Sequence, residues 1–509
     1  MTLLFEMGVP SVKQTRTLTT LFLLVLVLFT PLPAHADFVG SACLKVSPTK
    51  FIDSLTQVIA LIQQLASILS RFTSRFADFR LATAVSDCLD LLDLSSEVLS
   101  WSLAAAQGKH NGTGNLSSDL RTWLSAALAH PETCMEGFEG TNGIVKGLVS
   151  GGVGQVMSLV EQLLAQVLPA EDQFYSAGEF PSWVRRNNRK LLQASGSGVA
   201  PQADAVVAAD GSGNYTTVGD AVLAAPDYSM KRFVIYIKKG VYVENVEIKK
   251  KKWNIMMVGD GIDATVISGN RSFIDGWTTF RSPTFAVSGR GFIARDISFE
   301  NTAGPEKHQA VALRSDSDLS VFYRCGISGF QDSLYTHTMR QFFRECRIRG
   351  TVDFIFGDAT AMFQNCAIEA RQGLADQKNT ITAQGRKDPN EPTGFSFQFC
   401  NISGDSEQTY LGRPWKAYSR TIFMQSYMSE VIREEGWLEW NGNFALDTLY
   451  YAEYMNTGAG AGVANRVKWA GYHVLNDSSE ASNFTVTQFI KGNLWLPSTG
   501  ITYTAGFTL

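Results

Sequence analysis

Residues 346–358 read C-R-I-R-G-T-V-D-F-I-F-G-D, which sets the carboxylate of Asp353 among Val352, Phe354, Ile355 and Phe356. Burying an ionised carboxylate without a partner costs several kcal/mol, so such a group pairs, keeps its proton or takes part in chemistry. Asp332, in GFQDSLY, lies seven residues after Cys325, and Asp353 lies seven residues after Cys346. If the two cysteines hold equivalent places in successive turns of a repeat, the aspartates do too, about 5 Å apart. Two carboxylates that close do not both ionise easily. One then serves as a protonated acid beside an ionised nucleophile or base. The plainer alternative is a turn aspartate and a structural ion-pair member.

Helpers for such a pair stand nearby in the sequence. Gln331 adjoins Asp332, and Gln309 lies in KHQAVALR; both are amide donors able to stabilise a developing oxyanion. Arg413 in YLGRPWKAYSR can pair with Asp353 or bind an anionic substrate. Trp415, Trp437 and Trp440 are either sugar-stacking platforms or core. Other chemistries find less support. There is no G-x-S-x-G elbow for an α/β-hydrolase, and the six histidines show no metal-ligand spacing. GAGAGV lacks the third glycine of a dinucleotide fingerprint. A formal net charge of −4 argues against a generic nucleic-acid partner. The run Lys249 to Lys252 reads most simply as a solvated turn.

The element that must position the aspartates is a repeat. SVFYRCGISGF, QFFRECRIRG, AMFQNCAIEA, FSFQFCNISG and TIFMQSYMSE follow one another, centred on Cys325, Cys346, Cys366, Cys400 and Ser426. The first two steps are 21 and 20 residues, and later ones lengthen where loops intervene. Several short strands per period of about twenty residues predict a solenoid of β-coils from Val206 onward, with equivalent residues stacked in columns. Cys346 and Cys366 then lie in adjacent coils within disulfide range and are the pair expected to bridge, although stacking alone also permits Cys325 to Cys346.

The part before Val206 is built differently. From about Phe51 to Leu168 the apolar residues step by three and four, as in Phe51, Leu55, Val58, Ile62, Leu65 and Leu69. Four such stretches predict an antiparallel helical bundle. Cys88 and Cys134, each near the start of a helical stretch, are placed to staple two of the helices, and Gly151, Gly152 and Gly154 are expected to loosen the start of the last one. Ahead of the bundle, Lys13 and Arg16 precede the apolar run LFLLVLVLF and an A-x-A pattern at Ala34 and Ala36, which reads as a secretory signal peptide. No later segment reads as long and apolar enough to span a bilayer. Seven N-x-S/T sequons, at Asn111, Asn115, Asn214, Asn270, Asn401, Asn476 and Asn483, suit a glycosylated secreted chain. Between the two parts, the pairs Arg185-Arg186 and Arg189-Lys190 precede a Ser/Gly/Pro stretch, the composition of a tether with a proteolytic site.

Taken together, GVYVEN (240–245), HQAVALR, GFQDSLY, GTVDFIFG and LGRPW resemble, in order, the motifs of plant pectin methylesterases (pectinesterases). The resemblance runs from about residue 200 to the C-terminus, and the helical part is similar to the inhibitor-like pro-region that many of these enzymes carry. It implies an all-α four-helix bundle followed by an all-β right-handed parallel β-helix. The implied division is a signal peptide over 1–36, a pro-region over 37–180, a linker with the processing site at Arg189-Lys190 over 181–200, and a catalytic domain over 201–509.

It further implies that Asp353 is the nucleophile and Asp332 the acid and base. Gln309 and Gln331 would be the oxyanion donors, Arg413 would orient Asp353 and touch substrate, and Trp415 and Thr279 would bind substrate. The implied reaction is hydrolysis of the methyl esters of homogalacturonan in the cell wall, by a secreted monomer that needs no metal or cofactor. A processing protease and an inhibitor protein are the implied partners. Three departures stand out: Asp358 replaces the usual Asn after FIFG, the loop before LGRPW is short, and the helical part has three cysteines where the inhibitor family usually has four. A β-helical pectin glycoside hydrolase is the runner-up, since a close carboxylate pair also suits a retaining mechanism. A catalytically idle wall-binding protein is the third reading.

Overall fold

The computed structural model describes residues 41–72, 77–109, 112–169, 203–375, 377–406 and 408–507. The signal-peptide stretch, the sequon at Asn111 and the basic pairs of the linker lie outside the described residues.

The first part is a bundle of four helices: α1 (Pro48–Ser70), α2 (Phe79–Ala106), α3 (Leu116–Glu136) and α4 (Ile144–Ala165). Local chemistry sets their starts. Ser47 accepts from the Lys50 amide, Asp78 from Arg80 and Leu81, and Asn115 from Ser118, each satisfying donors that the first turn cannot. The α1 stripe Phe51, Leu55, Val58, Ile62, Leu65 and Leu69 is buried. The Cys88–Cys134 disulfide joins α2 to α3, although Cys134 lies in the last turn of its helix rather than near the start.

Two further expectations are corrected here. The glycine cluster does not loosen the start of α4, which begins at Ile144 and runs through it. A Cβ on Gly152 would lie 2.3 Å from a Leu65 methyl, so the absent side chain lets α1 and α4 approach closely, and packing outweighs propensity. By length and composition α1 and α4 are also long and apolar enough to cross a membrane; in this fold each turns its apolar stripe to the bundle core.

The second part is a right-handed parallel β-helix whose coils form three parallel sheets of eleven, seven and eight strands. A representative coil runs Leu334–Thr336, Arg340–Arg344 and Arg347–Gly350, and the next begins at Ile355–Gly357. The repeat read from the cysteines is the true one. Gly326 pairs with Arg347, Arg347 with Ala367, Ala367 with Asn401, and Asn401 with Tyr427, so the preceding Cys325, Cys346, Cys366, Cys400 and Ser426 form one column. The residues just before them, from Arg324 through Glu345, Asn365 and Phe399 to Gln425, all have φ between 47° and 56°. A repeated left-handed residue is what turns the chain from one sheet to the next.

The bridge expected between Cys346 and Cys366 is not formed; both are thiols, as are Cys325 and Cys400. Side chains of one column point the same way, so neighbouring Cβ atoms keep the inter-strand spacing of about 4.8 Å, beyond the roughly 3.5–4.5 Å that a disulfide needs. Inside the coils, Phe322, Phe343, Phe363, Phe397 and Phe423 stack with centroids 4.7, 4.8, 4.5 and 4.4 Å apart. Each ring fills the space its neighbours leave, so the ladder fixes coil spacing. Phe363→Ala, in the middle of it, should lower unfolding free energy by about 3–5 kcal/mol in a denaturant titration; a loss below about 1 kcal/mol would mean the coils collapse around the gap.

Candidate active site

Coil register brings the two aspartates together. Leu334 pairs with Ile355, so Asp332, two residues earlier, faces Asp353, and the Asp332 amide donates to the Val352 carbonyl at 3.1 Å. Both carboxylates are nearly buried, at 7% and 6% exposure. Both also have left-handed backbones, φ 64° and 50°, a conformation that Asp tolerates better than most residues. Burial, and then the charge of Asp353, hold the Asp332 carboxyl well above its usual range, partly offset by Arg413.

Asp353 has the opposite surroundings. Arg413 Nε donates to one carboxylate oxygen at 2.8 Å and Nη2 to the other at 2.6 Å, the two-pronged geometry that favours the charged form. The Thr380 hydroxyl donates to Asp353 at 2.6 Å and accepts its backbone amide at 2.9 Å. Ile355 pairs with Thr382, which puts Thr380 in the same column one coil on. The two carboxyls are thus held differently: Arg413 and Thr380 bond Asp353, while burial and the neighbouring Asp353 hold Asp332 high.

The cleft over this pair is lined by Thr279, Gln309, Gln331, Asp332, Asp353, Arg413 and Trp415, the residues that the family resemblance assigned to catalysis and binding. Tyr335 stacks on Phe356 at 4.2 Å, and Trp415 meets Phe356 edge-on at 6.0 Å, which gives the cleft an apolar wall. Trp440 also lines the cleft, with the Arg413 guanidinium 4.5 Å over its ring, whereas Trp437 is buried in the coil core. Sequence reasoning missed Thr380, Tyr335 and Phe356. Their signal was column membership: Tyr335 and Phe356 share the regular step of the two aspartates, and only the longer step to Thr380 was hidden by the lengthening spacing between coils.

The helical bundle closes the cleft from above, through Thr133, Glu136, Gly137 and Glu139 of α3 and the turn after it. Around it the two parts interlock. Trp123 donates to Asp318 at 3.1 Å, and Phe280 and Met339 of the coils join the bundle's own apolar cluster. His130, Asp316 and His337 meet at this junction, a grouping that sequence spacing gave no hint of. Their atoms are engaged: His337 with Asp316 and Thr133, His130 with Ser95 and Thr338, and Asp316 with Arg314. The Arg314 cation beside Asp316 makes this a poor cradle for a metal ion. The run Lys249 to Lys252 is a turn with Lys249 and Lys251 exposed, and from it Lys249 and Lys250 also pair with Asp90, Asp93 and Glu97 of α2.

Asp358 does not line the cleft. It accepts from Gln384 Nε2 at 3.1 Å and the Thr393 hydroxyl at 2.6 Å, and burial pushes its carboxyl up to about 7. A carboxyl with a raised folded pKa contributes stability that is full below its unfolded pKa and is lost as pH rises through the folded one. Asp358→Asn should therefore raise unfolding free energy at pH 8 by roughly 2–4 kcal/mol, with the gain vanishing below about pH 4. The check is chemical unfolding at both pH values; an equal effect at the two would refute the assignment.

The comparisons with known proteins divide the chain in the same way. A model described as Pectinesterase matches residues 204–493, and one described as plant invertase/pectin methylesterase inhibitor matches residues 29–167. A pectinesterase/pectinesterase inhibitor of Prunus persica is 68% identical over 483 residues, 92% of each chain. A probable pectinesterase/pectinesterase inhibitor of Arabidopsis thaliana is 61% identical over 519 residues, 96% of this chain and 98% of its own. Among solved structures, the pectin methylesterase from carrot matches with TM-score 0.60 and 54% identity, over 61% of this chain and 100% of its own. That of Aspergillus niger matches with TM-score 0.52 and 30% identity, over 59% of this chain and 97% of its own. Fold and site define a carboxylic ester hydrolase built on a parallel β-helix. The chain belongs to the pectinesterase family and carries the family's inhibitor-type domain ahead of the β-helix.

Proposed function

We propose that this chain hydrolyses the methyl esters of homogalacturonan, with Asp353 as nucleophile and Asp332 as acid and then base. The observation that carries the reading is the split pair: Asp353 clamped by Arg413, beside Asp332, whose carboxyl is held high. An oxygen of Asp353 attacks the ester carbonyl carbon, and the amides of Gln309 and Gln331, both on the cleft wall, receive the developing oxyanion. The bond from carbon to the methoxy oxygen breaks, and Asp332 gives its proton to that oxygen, so methanol leaves and an anhydride with Asp353 remains. Asp332, now ionised, takes a proton from water, which attacks the anhydride. Galacturonate leaves, Asp353 is free again and Asp332 has regained its proton. Thr279, Trp415 and Trp440 hold the sugar chain across the cleft.

The bundle over the cleft reads as a closed form, which a protease acting at Arg189-Lys190 opens. The N-terminal stretch that reads as a signal peptide, the sequons and the likeness to plant pectinesterases support release of the enzyme, as a monomer, to the extracellular wall. Two measurements test the reading. Residues 193–509 acting on highly methylated pectin should release methanol without lowering viscosity, and the full chain should release it more slowly. Viscosity loss without methanol would move the carboxylate pair to glycosidic chemistry. Asp353→Asn should abolish methanol release with the fold intact by circular dichroism; more than a few per cent residual activity in a folded sample would rule out Asp353 as nucleophile.

A further inference from the structure

Nine ion pairs cross between the bundle and the β-helix among the described residues, and in each the carboxylate belongs to the bundle and the cation to the β-helix. Some of these cations also have acids within the β-helix: Arg340 has Asp318, while Arg281 and Lys249 have Glu247. Three do not. Lys250 pairs with Asp93 and Glu97 at 2.8 and 3.1 Å, Lys387 with Glu132 at 3.4 Å, and Lys416 with Glu132 and Glu136 at 2.9 and 2.7 Å. Every carboxylate ion-paired with these three lysines is the bundle's.

Their placement is ordered. The seven-stranded sheet that floors the cleft begins at one edge with Val246–Ile248 and ends at the other with Thr409–Pro414, next to Asn379–Gln384. Lys250, Lys387 and Lys416 each follow one of these strands by two or three residues, so they stand on one long margin of the floor, Lys250 at one end and Lys387 and Lys416 at the other, with four strands between. Asp332 and Asp353 each precede their strands, Leu334–Thr336 and Ile355–Gly357, by two residues and stand on the opposite margin. Six strand spacings separate the two edges, roughly 29 Å. A linear polymer laid along the coil axis would meet the catalytic pair on one side and this lysine row on the other.

We propose that Lys250, Lys387 and Lys416 form a second binding site, for the free carboxylates of the de-esterified polyanion that the reaction makes, and that Asp93, Glu97, Glu132 and Glu136 occupy that site until the bundle is removed. This rests on the esterase reading, because only de-esterification turns a neutral stretch of polymer into a polyanion. It deepens that reading in one respect. Each ester cleaved adds a carboxylate that the lysine row can hold, so an enzyme that has begun on a chain stays with it.

The test measures binding of polygalacturonate, and separately of a fully methyl-esterified oligomer, by calorimetry at low and moderate salt. The samples are the full chain, residues 193–509, and the latter with Lys250→Gln or with Lys387→Gln and Lys416→Gln together. The shorter chain is a fair sample, since the carrot enzyme is matched over 100% of its own chain by 61% of this one, about the share that residues 193–509 make up. Residues 193–509 should bind polygalacturonate about tenfold more tightly than the full chain does. Each lysine lost should weaken that binding about threefold and flatten its salt dependence, whereas binding of the esterified oligomer, which has no free carboxylate, should change less than about twofold. Unchanged polygalacturonate binding in the folded variants would overturn the proposal, as would equal binding by the full chain. Failure of the esterase reading would show separately, as no methanol release by residues 193–509.

Discussion

In-register stacking of parallel coils is the constraint from which the rest follows. It puts equivalent residues of successive coils at one strand spacing, whatever their chemistry. For Phe322, Phe343 and Phe363 that spacing is favourable, because rings stack. For Asp332 and Asp353 it is costly, because it forces two buried carboxylates side by side. The fold absorbs that cost asymmetrically: Arg413 and Thr380 serve one member of the column, and the other keeps its proton. An acid and a nucleophile arise from two copies of the same side chain because only one has a guanidinium to lean on.

Much of this was legible in the sequence, for a physical reason. A coil of near-constant length turns sequence spacing into spatial adjacency, so the shared offset of Asp332 and Asp353 from their cysteines translated directly into a contact. Where coil length changes the translation fails. Thr380 shares the column, but the segment 371–378 lengthens that step to 27 residues (353 to 380) and hides it. The cysteine column was read correctly and its chemistry was not, because stacking that suits parallel side chains does not suit a disulfide.

Features at the junction of the two parts were the least legible. The lysine run, the meeting of His130 with His337, and the lining supplied by Glu136 and Glu139 all depend on how one folded part sits on another. No periodicity within either part encodes that. Asp358 shows the complementary effect: it directly follows the catalytic motif in sequence, yet its side chain is committed to Gln384 and Thr393, away from the cleft. Within a β-coil, adjacent residues can belong to different faces and so to different tasks.

The central claim is that Asp332, and not Asp353, holds the proton of the pair. Isotope-edited infrared spectroscopy of the full chain with labelled aspartate reads this directly, through the carbonyl stretch of a protonated carboxyl at a pH where ordinary aspartates are ionised. The account predicts that a component of this band disappears in Asp332→Asn and persists in Asp353→Asn. A band lost in Asp353→Asn and kept in Asp332→Asn would contradict it and reverse the two roles.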